Sequence, residues 1–117
     1  MKYLFLAYGD EKRLAAMSTR ERDSFEDACR ANDEMLRQSG HLLAMEDLQS
    51  SRTATTLRVH NGKVSIIDGP LVEANEQLLR LFFINARDLN EAIQVASTML
   101  QARGGPIEVR PIMGFNQ

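Results

Sequence analysis

Two segments of this chain, Tyr3–Tyr8 and Leu81–Ile84, are apolar at nearly every position, and they limit the fold more than any other feature. A strand with one solvated face alternates apolar and polar residues, so an unbroken apolar run indicates a strand that is covered on both faces. Each segment is followed by an amphipathic stretch with a helix-start signal. The sequence therefore predicts two central strands, each leading to a helix.

The two helices are marked by matching start signals, Ser18-x-x-Glu21 and Asp88-x-x-Glu91. In this capping-box pattern the side chains satisfy free amides of the first helical turn. Apolar residues at helical spacing then predict one buried stripe on each helix. The stripes comprise Phe25, Ala28, Cys29, Met35 and Leu36, interrupted by Asn32, on the first helix, and Leu89, Ala92, Ile93, Ala96, Met99 and Leu100 on the second. Gly40 and the run 104–106 are predicted to end the helices.

The other strands are shorter. His41–Met45 predicts a second strand, and Asn61-Gly62 between two β-prone segments predicts a hairpin with a two-residue loop. Such a loop pairs Val59 with Val64 and Leu57 with Ile66, which places all four apolar side chains on one face. Ile107–Ile112 predicts a last strand, which Pro111 favours at a sheet edge.

This order of elements, β-α-β, a hairpin, then β-α-β, predicts one α+β domain over residues 1–117. The fold class expected is a ferredoxin-like sandwich with an inserted β-hairpin. Right-handed crossovers place both helices on one face of the sheet. The second face of the two apolar strands then needs another cover. A second copy of the chain, giving a dimeric α+β barrel, is the simplest cover; the alternative is that the hairpin folds across this face.

Composition excludes several classes of protein. The formal net charge is −2, with fourteen Lys and Arg scattered among sixteen acids, so we expect neither a nucleic-acid partner nor a membrane partner. The single cysteine, Cys29, indicates a reducing compartment. The apolar N-terminal run ends at Gly9-Asp10, too early for a typical signal peptide. A cytoplasmic location is therefore expected.

The stretch Asp68-Gly69-Pro70-Leu71-Val72-Glu73-Ala74-Asn75-Glu76-Gln77-Leu78 resembles the signature of the DGPF group of YCII-related proteins. Four further segments resemble that family in the same order, so that the likeness extends over nearly the whole chain. These are Lys2-Tyr3 through Asp10, Ala54–Val59, Asp88–Ala92 and Gly104–Pro111. The resemblance implies a ferredoxin-like fold and a dimer built as an α+β barrel. It implies little about function, although some YCII-related proteins are implicated in small-molecule chemistry and others accompany sigma factors.

This chain also departs from the family pattern. Leu71 stands where the family usually has Phe, and Leu79-Arg80 stand where a Gly-Gly pair is usual. The YCII proteins proper carry a His in the first helix and an Asp after the second helix, proposed as a catalytic pair. This chain has neither, which argues against an acid–base mechanism that depends on that pair. Whether the protein is an enzyme is therefore left open.

Acidic residues near predicted strand ends are the candidates for catalysis. Glu46, which matches a family position, and Asp68 are the two catalytic candidates, because carboxylates that converge in a partly buried cleft can serve as general acid or base. Glu73 and Glu76 are weaker candidates of the same kind. The alternative for Asp68 is a turn residue that accepts backbone amides, and for the glutamates a solvated surface.

The ligand-binding candidates are Tyr8, His41, Glu46, Asp68 and Arg110. Tyr8 ends the first strand and can present its hydroxyl to a cleft, whereas Arg110 can hold a carboxylate or pair with Glu108. Two histidines without nearby cysteine or histidine partners give no zinc spacing, so we expect no metal and no cofactor. Cys29 is interpreted as a buried structural thiol.

Two functions from different classes remain open at this point. The first is a small-molecule site, with or without turnover, in the barrel or at the rim of a homodimer. The second is a non-catalytic interaction or regulatory module, such as a sigma-factor-associated accessory protein. Convergence of at least three of Tyr8, Glu46, Asp68 and Arg110 on one enclosed cavity favours the first. A filled barrel interior, together with an additional apolar patch outside the dimer interface, favours the second.

Overall fold

The computed structural model describes residues 1–99 and 104–114 and has an α+β architecture. The strands in the described residues are β1 Lys2–Asp10, β2 Leu42–Asp47, β3 Thr55–His60, β4 Lys63–Asp68, β5 Glu76–Asn85 and β6 Ile107–Pro111. The α-helices are α1 Glu11–Ala16, α2 Thr19–Gln38 and α3 Leu89–Thr98, and a single 3₁₀ turn covers Ser51–Thr53. No helix in these ranges has the length and apolar character needed to cross a membrane.

Four strands form one antiparallel sheet in the order β2-β5-β1-β6. The two strands predicted to be central, β1 and β5, lie in the middle, and this order is consistent with a ferredoxin-like α+β fold. Strand β6 lies at an edge, as Pro111 predicted. β3 and β4 form a separate two-stranded sheet with the predicted register, in which Val59 pairs with Val64 and Leu57 with Ile66.

The core lies on one face of the four-stranded sheet. Strand β1 alternates, with Tyr3, Phe5 and Ala7 buried and the intervening residues only half-buried. Phe82 and Ile84 of β5 are fully buried beside them, and helix α3 contributes part of the cover on this face. The core residues from α3 and its end are Ala92, Val95, Ala96 and Met99. Burial of these apolar side chains away from water is the main force that holds helices to the sheet.

The start of helix α2 is the predicted one, because the amide of Glu21 donates to the hydroxyl of Ser18 at 3.1 Å. Its buried stripe is only partly the predicted one. Cys29 and Leu36 are buried, but Met35 is 68% exposed and Ala28 is exposed as well. The buried line instead runs through Cys29, Asp33 and Leu36, spaced four and three residues apart, which turns Met35 toward solvent.

Helix α3 differs from the prediction in a similar way. Leu89 and Ile93, expected in its buried stripe, are each 50% exposed, whereas Val95 takes a buried position. Leu100 lies outside the described residues. The helix ends at Thr98, earlier than the predicted stop at Gly104. Helix α1 has no counterpart among the helices predicted from the sequence; it follows β1 directly, and the carboxylate of Asp10 caps it.

Candidate functional site

The sheet face opposite the core carries a mixed apolar and polar surface, here called the open face. Residues paired across antiparallel strands lie on the same face of a sheet, so the register identifies its members. One row runs across the four strands through Glu46, Leu81, Leu6 and Glu108, and the next through Ala44, Phe83, Leu4 and Arg110. Phe83 is 41% exposed, so the chain leaves this face uncovered.

Three polar side chains meet at the β1–β6 edge of the open face; Tyr8, Glu108 and Arg110 are here called the polar group. The Tyr8 hydroxyl donates a hydrogen bond to Glu108 Oε1 at 3.3 Å, and Arg110 Nε lies 3.6 Å from Glu108 Oε2. Burial and the Glu108 carboxylate raise the pKa of Tyr8 above its usual value of 10.0, while Arg110 acts in the opposite direction. The phenol therefore keeps its proton at neutral pH and remains a hydrogen-bond donor.

The structure brings Tyr8 and Arg110 together, as two of the predicted ligand-binding residues, through Glu108. Glu108 itself was considered only as an ion-pair partner for Arg110. Its position two residues before Arg110 on one strand places both on one face and is the signal that could have identified it.

Glu46 lies on the same open face but at the opposite edge. It belongs to the same cross-strand row as Glu108, with Leu81 and Leu6 between them. Three strand spacings separate the two carboxylates, about 14 Å. Within one chain, Glu46 and the Tyr8–Glu108–Arg110 group therefore flank the apolar surface from its two sides and do not meet.

His41 is at the other end of the sheet. Its Nδ1 lies 2.9 Å from the carbonyl oxygen of Asn85 and 3.9 Å from Glu91 Oε1, near the start of helix α3. Because Asn85 and Leu78, the partner of Tyr8, are seven residues apart on β5, roughly 20 Å separates His41 from Tyr8. His41 therefore joins neither the polar group nor Glu46.

Asp68 lies in a separate groove of about 890 Å³, between helix α1 and the loop that follows β4. Glu73 and Asp10 line the same groove. Glu11 also lines this groove and accepts hydrogen bonds from the amide and hydroxyl of Ser51. These hydrogen bonds lower the pKa of the Glu11 carboxyl. Asp68 and Glu46, the two catalytic candidates, thus belong to different surfaces of the chain.

An ion pair that the sequence did not indicate lies on the core side of the sheet. Arg80 Nε is 2.8 Å from Asp47 Oδ1, and Arg80 also lies close to the buried thiol of Cys29. Burial raises the pKa of that thiol, and Arg80 acts against the rise. Cys29 is buried and free, as interpreted from the sequence. Among the described residues, no group of three His, Cys, Asp or Glu side chains is placed to hold a metal ion.

The sequence of this chain matches the family model of the YCII-related domain over residues 1–116. The chain belongs to the YCII-related family. An uncharacterized protein of Rhizobium meliloti (strain 1021) is 32% identical over 114 residues, which cover 96% of this chain and 92% of that protein. The family assignment thus extends over almost the whole chain. Membership of the DGPF group within the family stays a prediction.

Proposed function

We propose that this YCII-related protein is a homodimer that binds a small molecule on its open face, between the sheets of two copies. The ligand class we infer is an apolar ring that carries a carboxylate. The observation that carries the proposal is the combination, on one uncovered face, of an apolar surface with the Tyr8–Glu108–Arg110 group.

A second copy is the cover that best fits the open face. Leu6, Leu81 and Phe83 lie side by side there and remain partly exposed. A two-fold axis lets the same patch bury itself, without requiring a second kind of surface. The resulting α+β barrel would enclose the apolar surface and leave the polar group at its margin, which is the arrangement of most small-molecule sites.

The polar group defines what the ligand must offer. Arg110 makes one contact with Glu108, at 3.6 Å through Nε, which leaves other guanidinium N–H groups to bind a carboxylate. The ring of the ligand would lie against Leu6 and Leu81, where water is excluded when the second copy is present. Glu46, on the far edge of the same face, is the polar residue that a longer ligand would reach. Binding without turnover is the function proposed.

Benzoate, titrated into ¹⁵N-labelled protein, tests this proposal. We expect the amide chemical shifts of residues in β1 and β6 to change as benzoate is added. Neutral benzyl alcohol should change them little, because Arg110 recognises the negative charge of the carboxylate. Arg110→Gln should weaken benzoate binding at least fivefold, whereas Arg58→Gln, an exposed arginine on hairpin strand β3, should not. Equal affinity in all three proteins, or shifts scattered over the surface, would refute a site on the open face.

A non-catalytic interaction module is the second candidate, and one observation favours it. The hairpin of β3 and β4 exposes four apolar side chains on one face. A contiguous apolar patch of this kind is a feature of binding surfaces in soluble proteins. Under this second candidate, another protein covers the patch.

A further inference from the structure

The apolar side of the hairpin, here called the hairpin face, is formed by Leu57, Val59, Val64 and Ile66. These residues form two cross-strand pairs, Leu57 with Ile66 and Val59 with Val64. Their exposed fractions lie between 58% and 65%. The opposite side carries Thr56, Arg58, His60, Lys63, Ser65 and Ile67, so four of the five large apolar residues of the two strands lie on one side of the hairpin. This segregation is typical of a strand pair that buries one face.

The hairpin lacks that burial within one chain. β3 and β4 pair with each other and not with the four-stranded sheet. An isolated two-stranded hairpin is marginally stable in water and needs packing on one face to be well ordered. The hairpin face is thus the surface on which such packing is missing.

The area of the chain indicates how much surface is left to cover. The chain exposes 8393 Å², whereas a compact monomer of this mass exposes about 6,400 Å². The excess is roughly 2,000 Å², and the flat dimensions of 47 × 45 × 18 Å agree with it. A standard interface takes about 800 Å² from each partner. On the open face Phe83 is 41% exposed and Leu4, Leu6 and Leu81 are half-buried, so each of these side chains offers less uncovered surface than the residues of the hairpin face.

We propose that the hairpin face packs against the second copy of the chain and completes the same two-fold interface as the open face. This inference rests on the dimer of the proposed function and extends it to a second surface. The hairpin acts as an arm: each copy contributes its hairpin face to the other, so that both apolar surfaces of one chain are covered by one partner. The exposed area favours a second copy, because the excess exceeds what a standard interface takes from one partner and the hairpin face holds the more exposed apolar side chains.

Two neighbouring residues of β4 give a matched test. Val64 lies on the hairpin face and Ser65 on the polar side, and both are exposed. Val64→Lys should raise the dimer dissociation constant at least tenfold in sedimentation equilibrium, because it places a charge in the interface. Ser65→Lys should change the constant less than twofold. Circular dichroism checks that both variants fold, which their exposure favours.

A third variant, Phe83→Lys, separates this inference from the proposed dimer. If Phe83→Lys dissociates the dimer and Val64→Lys does not, the open face is the interface and the hairpin inference is wrong. The hairpin inference is also wrong if the hairpin face binds another protein instead of a second copy. If Val64→Lys dissociates the dimer and Phe83→Lys does not, the hairpin inference stands and the open-face dimer is refuted. A wild-type chain that stays monomeric at all concentrations overturns both.

Discussion

Replacing Gly105 with alanine should destabilise the protein far more than the same change at Gly9. A Cβ atom at Gly105 would lie 2.0 Å from the carbonyl oxygen of Tyr8 and 3.1 Å from the Cα of Gly9, both of which are backbone atoms. The backbone cannot move aside as a side chain can, so β6 would have to withdraw from β1. That movement would also break the hydrogen bond of 3.0 Å from the Tyr8 amide to the Pro106 carbonyl.

The expected cost follows from these contacts. Overpacking costs about 3 kcal/mol at its upper range and the lost hydrogen bond about 1 kcal/mol, offset by up to about 1 kcal/mol from the reduced freedom of the unfolded chain. The net loss of about 3 kcal/mol lowers Tm by about 12 °C for a chain of this length. At Gly9 the added Cβ meets Leu79 Cδ1 at 2.6 Å, the end of a side chain that can rotate away, so the loss there is about 1 kcal/mol.

Thermal unfolding followed by circular dichroism, at equal protein concentration for each variant, measures the difference. Equal concentration matters because association shifts the apparent Tm. A Gly105→Ala protein within 3 °C of the wild type would refute the claim that the backbone leading into β6 lies against Tyr8 at this point.

Substitutions at three further residues test single contacts. Ser51→Ala should reduce the urea midpoint more at pH 7 than near pH 3. The lowered pKa of Glu11 stabilises the fold above pH 4.5, and that contribution is lost as the pH falls through the pKa of Glu11 in the folded state. An equal reduction at both pH values would contradict this reasoning. Glu108→Gln should move the absorbance titration of Tyr8 part of the way down toward 10.0, since burial remains; an unchanged curve would show that Glu108 does not act on Tyr8. Ser18→Ala should cost about 1 kcal/mol in thermal unfolding and Ser18→Gly only a few tenths; identical losses would argue against a side-chain cap.

The central part of the fold was predictable because it depends on local periodicity. Unbroken apolar runs identified β1 and β5 as the central strands, and the loop at Asn61-Gly62 fixed the hairpin register. The stripes on the helices were less predictable, since residues one position apart on a helix differ by about 100°. Met35 and Cys29 both match a helical spacing, and only packing against the sheet decides which of them is buried.

The arrangement of the site depends on long-range pairing that a local pattern does not contain. Tyr8 and Arg110 were candidates by residue type, but their meeting at Glu108 requires the register of β1 with β6. Arg80 faces the core side because it alternates with Phe82 and pairs with Ala7 in the regular register, whereas the register shift that follows Ala7 pairs Tyr8 with Leu78 instead of Leu79. A shift of one residue reverses the face of every later side chain, and no signal in the sequence of β5 announces it.

Contacts between two copies of the chain are the most direct test that a second copy covers the open face. A dimer mixed from ¹³C-labelled and unlabelled protein, measured by isotope-filtered NOE spectroscopy, reports only contacts between copies. The account predicts intermolecular NOEs from the Phe83 ring and the Leu6 and Leu81 methyl groups. Absence of these NOEs in a sample that tumbles as a 13.2 kDa particle would contradict it.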